Sequence, residues 1–560
     1  MKKIYSFVTS ALAVVLVFVA GAGAWAQAPA WQTAVSSSVS ANNDAYVLGT
    51  TAANGNVYVV GAFSGTASFG NSTLVSSGQE DGFVAKWNPV SGDFVWAQKI
   101  GGSYGDGAAA VAVNGANVYV TGAFRSQPAA FGSLSLTSAG TSDFYLAKLT
   151  DAGTTASFTW VQQAGGSQFE LGEALAVSGA NVYVAGYYGD ATFGTTVLPT
   201  GSAANLFVAK LVDAGPSGAF VWAKAAGGSG FNDVHALAVS GTSVYLAGFF
   251  SRTATFGATT LTSAGSYDAV VAKLEDAGAT ADFAWAQRGG GPGEDRARGI
   301  ALNGSSVYVT GSFEGSAATF GPATLSSAGL ADVFVTKLTD AGTTSSFGWV
   351  ERVGGAGADR AYALAGAGTG ICIVGEFNSR TLAFGTTVLT AASNYGTDLF
   401  VARLTDAGRT AGFAWAQRAG GTASVSCSAV AVAPNGTVYV GAGVQPPASF
   451  GSLPIAGLVG TTVATLASLT DPTLTATTAA LRPENIGLFP NPAHGRATLQ
   501  LPAGAGLVTI TVLDALGRSV HSQTTTDAKA ELNLAGLEPG FYALRVQAGG
   551  ATATRRLMVE

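Results

Sequence analysis

The stretch Asn181-Val182-Tyr183-Val184-Ala185-Gly186 decides the fold, because this short apolar strand closed by a glycine returns along most of the chain. Its counterparts are centred on Tyr58, Tyr119, Tyr245, Tyr308, Cys372 and Tyr439. The steps between successive centres are 61, 64, 62, 63, 64 and 67 residues. A near-constant step over this many occurrences indicates a repeat architecture.

Composition narrows the class of protein before any motif is considered. Of 560 residues, 48% are hydrophobic, only 11% are charged and 77 are glycines. Disordered chains are polar and highly charged, so this composition favours β-strands joined by tight turns. The net charge of −6 comes with no basic stripe, which argues against nucleic acid as a partner.

The two cysteines exclude a disulfide framework of the kind found in small secreted domains. Cys372 and Cys427 pair only if neighbouring repeats bring them together, and otherwise they are buried free thiols. The sequence leaves both alternatives open.

Residues 1–26 have the pattern of a secretory signal peptide. Lys2 and Lys3 precede an apolar core over 11–20, and Ala24-Trp25-Ala26 is a small-x-small cleavage site. The apolar run is short and no stop-transfer charges follow it, so we expect no transmembrane segment in the mature chain. The residue directly after the cleavage site is Gln27 and not a cysteine, which argues against a lipid anchor. The sequence therefore predicts export.

Each repeat between residues 27 and 470 reads as four strands with one short insert at a Phe-Gly pair. One unit runs from Trp160 through the alanine-rich strand Ala174–Val177 and the Tyr183 strand to Phe207–Leu211. Seven such units predict an all-β chain folded as a seven-bladed β-propeller, in which radial repetition leaves only short sheet edges. The small residues of Ala174–Val177 suit the innermost strand, where blades crowd together.

The tryptophans predict how the ring closes. Trp96, Trp160, Trp222, Trp285 and Trp349 each precede the next strand centre by 23 residues, and Trp415 does so by 24. The last repeat lacks a tryptophan near residue 479, whereas Trp31 stands 27 residues before Tyr58 with no repeat ahead of it. We therefore expect the N-terminal strand to complete the seventh blade. Eight blades is the competing count.

These units resemble bacterial β-propeller repeats of the seven-bladed type. The shared pattern is a Gly-Gly pair, an acidic residue and then a Val-Tyr-Val-x-Gly strand, and it covers nearly all of 30–469. The resemblance implies the fold but says little about activity, because propellers serve binding, catalysis and scaffolding alike.

Residues 471–484 read as a linker, and 485–560 as a small C-terminal β-sandwich of short alternating strands. This segment resembles the C-terminal sorting domain of the type IX secretion system of Bacteroidota. The matching pieces are Phe489-Pro490-Asn491-Pro492, Val512-Leu513-Asp514, Leu516-Gly517-Arg518, Gly540-Phe541-Tyr542 and Arg555-Arg556-Leu557-Met558-Val559. The resemblance implies recognition by the type IX machinery and delivery to the outer-membrane surface or the medium. The alternative is an accessory sandwich without an address function.

Acidic residues recur before the innermost strand of the repeats, at Asp44, Asp106, Glu173, Asp233, Asp295 and Asp359. Four of them, Asp106, Asp233, Asp295 and Asp359, are the candidate ligand-binding residues. A ring of carboxylates suits a sugar or Ca²⁺, and no other cofactor is expected. The competing interpretation is that each acid binds backbone amides in its own turn.

Other repeated polar residues predict structural roles. The Asp-Ala-Gly sites at Asp151, Asp213, Asp276, Asp340 and Asp406 are expected to be turns. The lysines of the third strand, such as Lys210, extend to the surface or pair with a nearby acid. The three histidines form no zinc pattern and no Ser-His-Asp arrangement.

Specific activity is expected where the repeat pattern is broken. The main departures are Glu294–Arg298, Phe169-Glu170 and Tyr187-Tyr188. The leading hypothesis is a secreted or surface-displayed, non-enzymatic propeller that binds a glycan or a surface protein. The alternatives are a polysaccharide hydrolase or lyase that uses carboxylates on the propeller face, and a purely structural surface protein.

Overall fold

The computed structural model describes residues 28–200, 204–367, 370–394, 396–474, 486–501, 508–514, 517–525, 527, 529–548 and 551–560. The predicted signal peptide and most of the predicted linker lie outside these residues. The described part of the chain is all-β, with one 3₁₀ turn at Pro472–Leu474 and no α-helix. It contains no helix long and apolar enough to cross a membrane.

The Tyr183 stretch is a central strand of a sheet. Asn181–Tyr188 pairs antiparallel with Glu170–Ser178 on one side and with Asn205–Asp213 on the other. Residues 182–186 are all buried. A strand covered on both faces has to be apolar along its whole length, which explains why this run shows no polar alternation.

The same local pattern gives strands along the whole repeat region. Up to residue 228 they are β1 (Trp31–Ser36), β2 (Ser38–Val39), β3 (Ala45–Ala53), β4 (Asn56–Phe69), β5 (Ser72–Asn88), β6 (Asp93–Gly101), β7 (Asp106–Asn114), β8 (Asn117–Phe124), β9 (Ala129–Phe131), β10 (Leu134–Leu136), β11 (Asp143–Asp151), β12 (Ala156–Ala164), β13 (Glu170–Ser178), β14 (Asn181–Tyr188), β15 (Thr192–Phe193), β16 (Thr196–Val197), β17 (Asn205–Asp213) and β18 (Gly218–Gly228).

From residue 232 the strands are β19 (Asn232–Ser240), β20 (Ser243–Phe250), β21 (Thr253–Phe256), β22 (Thr259–Thr262), β23 (Asp268–Asp276), β24 (Ala281–Gly290), β25 (Arg296–Asn303), β26 (Ser306–Glu314), β27 (Ala318–Phe320), β28 (Ala323–Leu325), β29 (Ala331–Asp340), β30 (Ser345–Val353), β31 (Asp359–Ala367), β32 (Gly370–Phe377), β33 (Thr381–Phe384), β34 (Thr387–Thr390), β35 (Asp398–Asp406), β36 (Ala411–Gly421), β37 (Val425–Val432), β38 (Thr437–Val444), β39 (Ala448–Phe450), β40 (Leu453–Ile455) and β41 (Val463–Thr470).

The long strands form successive antiparallel sheets of four. Their orders are β3-β4-β5-β6, β7-β8-β11-β12, β13-β14-β17-β18, β19-β20-β23-β24, β25-β26-β29-β30 and β31-β32-β35-β36. The short strands pair as hairpins, and some of these extend the fourth strand of the preceding sheet, as β21 does on β18.

The start of the chain joins the end of the repeats, as the tryptophan spacing predicts. Strand β1 pairs antiparallel with β41, in the sheet β1-β41-β38-β37. The Trp31 indole donates to the Arg418 carbonyl at 3.2 Å and meets Phe450 edge-on at 4.9 Å. The first strands of the sheets contact one another in order from β3 to β37, and β37 also contacts β3.

Neighbouring sheets are held together by a buried polar cluster. The Asp276 carboxylate accepts hydrogen bonds from Tyr183 (2.7 Å), Lys210 (2.6 Å) and Trp222 (3.0 Å) of the preceding sheet, and from the Gly278 amide at 2.9 Å. Burial opposes ionisation of Asp276, but the bonds from Lys210 and Tyr183 outweigh it and lower its pKa. The Asp-Ala-Gly turn and the repeated lysine are therefore two halves of one contact. The same cluster forms on Asp151, Asp213, Asp340 and Asp406.

The two cysteines are buried free thiols in one hydrophobic cluster. Burial raises the pKa of both Cys372 and Cys427. A thiol held neutral in an apolar environment is unreactive.

The C-terminal segment forms two antiparallel sheets around one hydrophobic core. The first contains β42 (Gly487–Phe489), β43 (Arg496–Gln500) and β46 (Lys529–Asn533), in that order. The second has the order β45-β44-β47-β48, with β44 (Val508–Leu513), β45 (Ser519–Thr525), β47 (Gly540–Ala548) and β48 (Ala551–Val559).

Candidate functional site

The first strand of each sheet carries a β-bulge against the second strand. In β13 the pairing is interrupted between Gly172 and Ala174, and in β19 between Val234 and Ala236. A bulge adds one unpaired residue to a strand and redirects its side chain. The bulged residues are Leu48, Ala109, Glu173, His235, Arg298, Tyr362 and Ser428.

All of the bulged residues line one cavity of about 690 Å³, which we name the central cavity. It lies between the first strands of the sheets, and its wall also includes Tyr46, Glu80, Arg125 and Tyr187. Ligand pockets typically measure about 300–1,000 Å³. The central cavity is therefore large enough for a ligand of two or three sugar rings.

The bulge position does not repeat its residue, although the strands around it do. Four consecutive sheets present a carboxylate (Glu173), an imidazole (His235), a guanidinium (Arg298) and a phenol (Tyr362). The remaining positions hold leucine, alanine and serine. The functional groups of the cavity are thus concentrated on one side of it.

Sequence reasoning missed the bulge residues as a set, although a signal for them exists. Each stands ten residues before the strand centre of its unit, or eleven in the last unit. Aligning the repeats on Tyr183 and its counterparts would have brought these seven residues into one column and shown that its residue type varies. Arg298 does fall in the predicted departure Glu294–Arg298, and Tyr187 in another.

The Glu173 carboxylate, the Asp233 carboxylate and the His235 imidazole form one cluster. Their donor and acceptor atoms lie within 4.8 Å of one another, and His235 Nδ1 is 2.5 Å from Glu173 Oε2. Asp233 is buried, and its carboxylate accepts a hydrogen bond from the Val234 amide. The Nε2 atom of His235 is buried without a hydrogen-bond partner among the described residues.

The cluster shifts the protonation of its members toward the acid forms. Burial and the charge of Glu173 raise the pKa of Asp233. Burial alone would lower the pKa of His235, but the Glu173 carboxylate outweighs it and the net shift is upward. The imidazole is thereby biased toward the cation, in which both ring nitrogens are donors.

These three residues have donor types that metals use, yet the arrangement does not suit Ca²⁺. Calcium takes six to eight oxygen ligands, whereas this cluster offers two carboxylates and a nitrogen. The Nδ1 atom of His235 is engaged with Glu173. The positive charge of Arg298 also acts on both Asp233 and His235. Two cationic side chains therefore already lie near the two carboxylates, which weakens the attraction of the cluster for a metal ion.

A row of aromatic rings lies next to the cavity. Consecutive ring centroids are 5.9, 5.8, 5.7 and 5.1 Å apart along Phe169, Tyr187, Phe231, Phe249 and Tyr267. Tyr187 lines the cavity, while Phe169 is 39% exposed. The row therefore connects the cavity wall to the surface.

The structure places the predicted acids in two different environments. Asp233 belongs to the cluster described above, together with Glu173. Asp106, Asp295 and Asp359 instead accept backbone hydrogen bonds at the start of a first strand, for example from the Gly102 and Arg125 amides, both at 2.8 Å, in the case of Asp106. This is the geometry that the turn interpretation predicts, although Asp106 also lines the central cavity.

The corresponding positions at the start of β13 and β19 are occupied by Glu170 and Asn232, each three residues before the bulge. Glu170 accepts from the Gly166 amide at 3.2 Å. The recurrence seen in the sequence therefore merges three positions of the repeat. The turn acids stand three residues before the bulge, Asp233 stands two residues before it, and Glu173 is the bulged residue itself.

Each turn acid also faces an acid from the preceding sheet. The Asp268 Oδ1 atom is fully buried without a hydrogen-bond partner, and its charge raises the pKa of Asp295. Burial is the larger cause of that shift, and together they raise the pKa of Asp295 to about 7. An Oδ1 atom that is buried without a hydrogen-bond partner also lies on the preceding-sheet acid in the pairs Asp81 with Asp106, Asp143 with Glu170, and Asp332 with Asp359.

Between one pair of neighbouring sheets, two asparagines take the place of the two acids. Their contact shows that a hydrogen-bond donor is needed at this position. There the Asn232 side chain donates to Asn205 Oδ1 at 3.1 Å. Between two carboxyl groups, only a protonated one can supply that donor. Gly290 is required beside the acid pair, because a Cβ there would lie 2.5 Å from Asp295 Oδ2 and 2.8 Å from Asp268 Oδ1.

Residues 487–560 match the secretion system C-terminal sorting domain. This confirms the sorting domain expected from the sequence pattern, and it indicates a secreted or outer-membrane surface protein. The match covers the tail of the chain only, so it assigns no activity to residues 28–474. No curated protein matches the chain.

Three solved structures show a weak likeness to this chain. PorZ, an essential surface component of the type IX secretion system of Porphyromonas gingivalis, has 11% identity over 95% of this chain and 100% of its own, with a TM-score of 0.17. The Trypanosoma rangeli sialidase has 8% identity over 80% and 83%, with a TM-score of 0.27. A mutant of that sialidase with trans-sialidase activity has 8% identity over 80% and 82%, with a TM-score of 0.30. TM-scores this low carry no inference about fold or activity.

Proposed function

We propose that this exported protein is a seven-bladed β-propeller that binds a glycan in its central cavity, without catalysis. The observation that carries the proposal is the bulge position. Each of the seven repeat sheets directs one bulged residue to the same cavity, and the repeats differ from one another at this position. A scaffold needs no such variation, whereas a binding site needs different groups at different places.

The sheet contacts support the propeller. Successive four-stranded sheets contact through their first strands, and the last first strand, β37, contacts β3. Strand β1 adds the fourth strand to the sheet of β37, β38 and β41. Counting that sheet with the six before it gives seven blades.

The proposed boundaries are 1–26 for a signal peptide, 27–470 for the propeller, 471–484 for a linker and 485–560 for a sorting domain folded as a sandwich.

The chemistry of the cavity favours a sugar over an apolar ligand. Glu80 and Glu173 supply acceptors for hydroxyl groups, and Arg125, Arg298 and Tyr187 supply donors. Aromatic rings with a polar edge provide flat apolar surface for the face of a sugar ring. A surface or secreted location also exposes the cavity to polysaccharides.

A polysaccharide hydrolase or lyase is the competing function. Glycosidases hold their two carboxyl groups about 5–5.5 Å apart when they retain configuration and about 6.5–9.5 Å apart when they invert it. The oxygens of Glu173 and Asp233 lie within 4.8 Å, and Asp233 is only 4% exposed. This arrangement is typical of two carboxylates with a structural role. It is less suitable for two carboxylates that flank the scissile bond of a substrate.

A glycan array with the purified full chain tests the proposal. We expect binding to a defined set of glycans, with no released product, and loss of that binding in Glu173→Gln. The matched control is Glu531→Gln on the tail, where the side chain is 77% exposed. Binding that survives Glu173→Gln would place the ligand elsewhere, and product release would favour the enzyme. Absence of any glycan binding would contradict the proposal.

A further inference from the structure

Arg298 differs from the other half-buried arginines between residues 28 and 474. Each of those has a carboxylate oxygen within 3.9 Å, and they are Arg288, Arg296, Arg360, Arg403 and Arg418. Among the described residues, Arg298 has no ion-pair partner, and its Nε atom is buried without a hydrogen bond. Burial lowers the pKa of this guanidinium. A desolvated and unpaired charge is costly, so its presence needs an explanation.

The contact between Arg298 and Tyr362 offsets only part of that cost. The guanidinium lies 5.0 Å from the centre of the Tyr362 ring. The Tyr362 hydroxyl donates to Glu376 at 2.5 Å, and among the described residues no hydrogen bond joins it to Arg298. A cation–π contact contributes about 0.5–2 kcal/mol and leaves the buried Nε–H of the guanidinium without a hydrogen-bond acceptor.

A second unsatisfied group occupies the neighbouring bulge position. His235 Nε2 is buried without a partner, while Nδ1 of the same ring is engaged with Glu173. Both His235 and Arg298 line the central cavity. In the imidazolium form, His235 directs one N–H to Glu173 and keeps the other free. Two adjacent strands therefore bring unused cationic donors to one wall.

We propose that Arg298 and His235 form an oxyanion site in the central cavity, and that the anion is the carboxylate of an acidic sugar. The proposal rests on the proposed function and names the class of glycan. The planar guanidinium fork matches a carboxylate through two parallel hydrogen bonds. Such a ligand would satisfy the donors that the protein leaves unpaired.

The surroundings favour a sugar carboxylate over free phosphate. Glu173 and Asp233 lie beside the site, and they repel a divalent anion more strongly than a monovalent one. The cavity of about 690 Å³ is far larger than a phosphate ion. Its acceptors, including Glu80, suit the hydroxyl groups that a sugar acid carries next to its carboxylate.

Isothermal titration calorimetry on the full chain tests this site with three probes. They are a galacturonic acid trisaccharide, the methyl ester of the same trisaccharide, and inorganic phosphate. We expect the acid to bind at least about tenfold more tightly than the ester, because charged hydrogen bonds contribute more than neutral ones. Phosphate should not compete at equal concentration. Equal affinity for acid and ester, or binding of phosphate alone, would overturn the proposal.

Variants locate the binding and separate this proposal from the broader one. Arg298→Gln should weaken binding of the acid by about tenfold to a hundredfold, whereas Arg409→Gln, at an exposed site outside the cavity, should leave it unchanged. His235→Gln provides a second test if Arg298→Gln unfolds. If only neutral glycans bind, and they bind independently of Arg298, the oxyanion site is refuted but glycan binding is not. If no glycan binds, both the oxyanion site and glycan binding are refuted.

Discussion

Asp268→Asn should stabilise this protein at alkaline pH, because it supplies a donor that the buried acid pair lacks. Asp268 Oδ2 accepts from the Ala264 amide and from Arg288, both at 2.7 Å, while Oδ1 has no partner and faces Asp295. In the variant, the amide oxygen keeps the two existing bonds. The amide nitrogen replaces the orphan oxygen and donates to Asp295.

The magnitude follows from the pKa of Asp295. It is raised to about 7 in the folded protein by burial and by the charge of Asp268, against about 3.9 in an unfolded chain. A carboxyl with a raised pKa stabilises the folded state below the unfolded pKa, and that stabilisation is lost as pH rises from about 4 through 7. At about 1.4 kcal/mol per pH unit, the loss is about 4 kcal/mol.

The variant should recover part of this loss. A hydrogen bond to a charged group contributes about 1.5–3 kcal/mol. We therefore expect Asp268→Asn and the native chain to have similar free energies of unfolding at pH 5, where the native pair holds a proton. At pH 8 the variant should be more stable by about 2 kcal/mol. The natural Asn205–Asn232 pair shows that amides fit this junction.

Urea denaturation at pH 5 and pH 8, followed by tryptophan fluorescence, measures the difference. Asp282→Asn is the control, because that carboxylate is 88% exposed and its loss should have the same small effect at both pH values. A variant that is destabilised equally at both pH values would refute the reasoning. That result would show that the pair is ionised throughout, or that it holds something other than a proton.

Three further predictions concern the sheet contact, the tail and the thiols. Asp276→Asn should lower the free energy of unfolding by about 3–5 kcal/mol at pH 7, since it leaves Lys210 buried without its counter-ion; in urea titrations, a loss as small as that of Asp282→Asn would contradict this. Deleting 487–560 should retain the protein in the periplasm on cell fractionation, and unchanged surface delivery would contradict the sorting role. Cys372 and Cys427 should react with a thiol reagent only after unfolding, and rapid labelling of the native chain would show that they are accessible.

Local sequence was sufficient to predict the strands of the repeats and the sorting segment. The Tyr183 stretch and its counterparts are apolar at consecutive positions, so their side chains are removed from water only if both faces of the strand are buried. The step between them gives the length of one structural unit. The sorting segment was identified by short motifs, and the match over 487–560 confirmed it.

The polar residues were harder to assign, because their partners lie in other repeats. Asp276 was expected to shape a turn, and it does bind the Gly278 amide. Its other partners, Tyr183 and Lys210, precede it by 93 and 66 residues. The acids before the first strands were interpreted as one column, although a shift of one to three residues separates Asp233 and Glu173 from the turn acids.

The amino-acid sequence by itself determined the repeat, the all-β class and the exported character of this protein, since each depends on periodicity or on a contiguous motif. Only the tertiary structure decided which residues meet. Glu173 and His235 are 62 residues apart in the chain and 2.5 Å apart in the cavity, because each sits on a bulge that redirects one side chain per sheet. A bulge is a property of the pairing between strands, and no single strand specifies it.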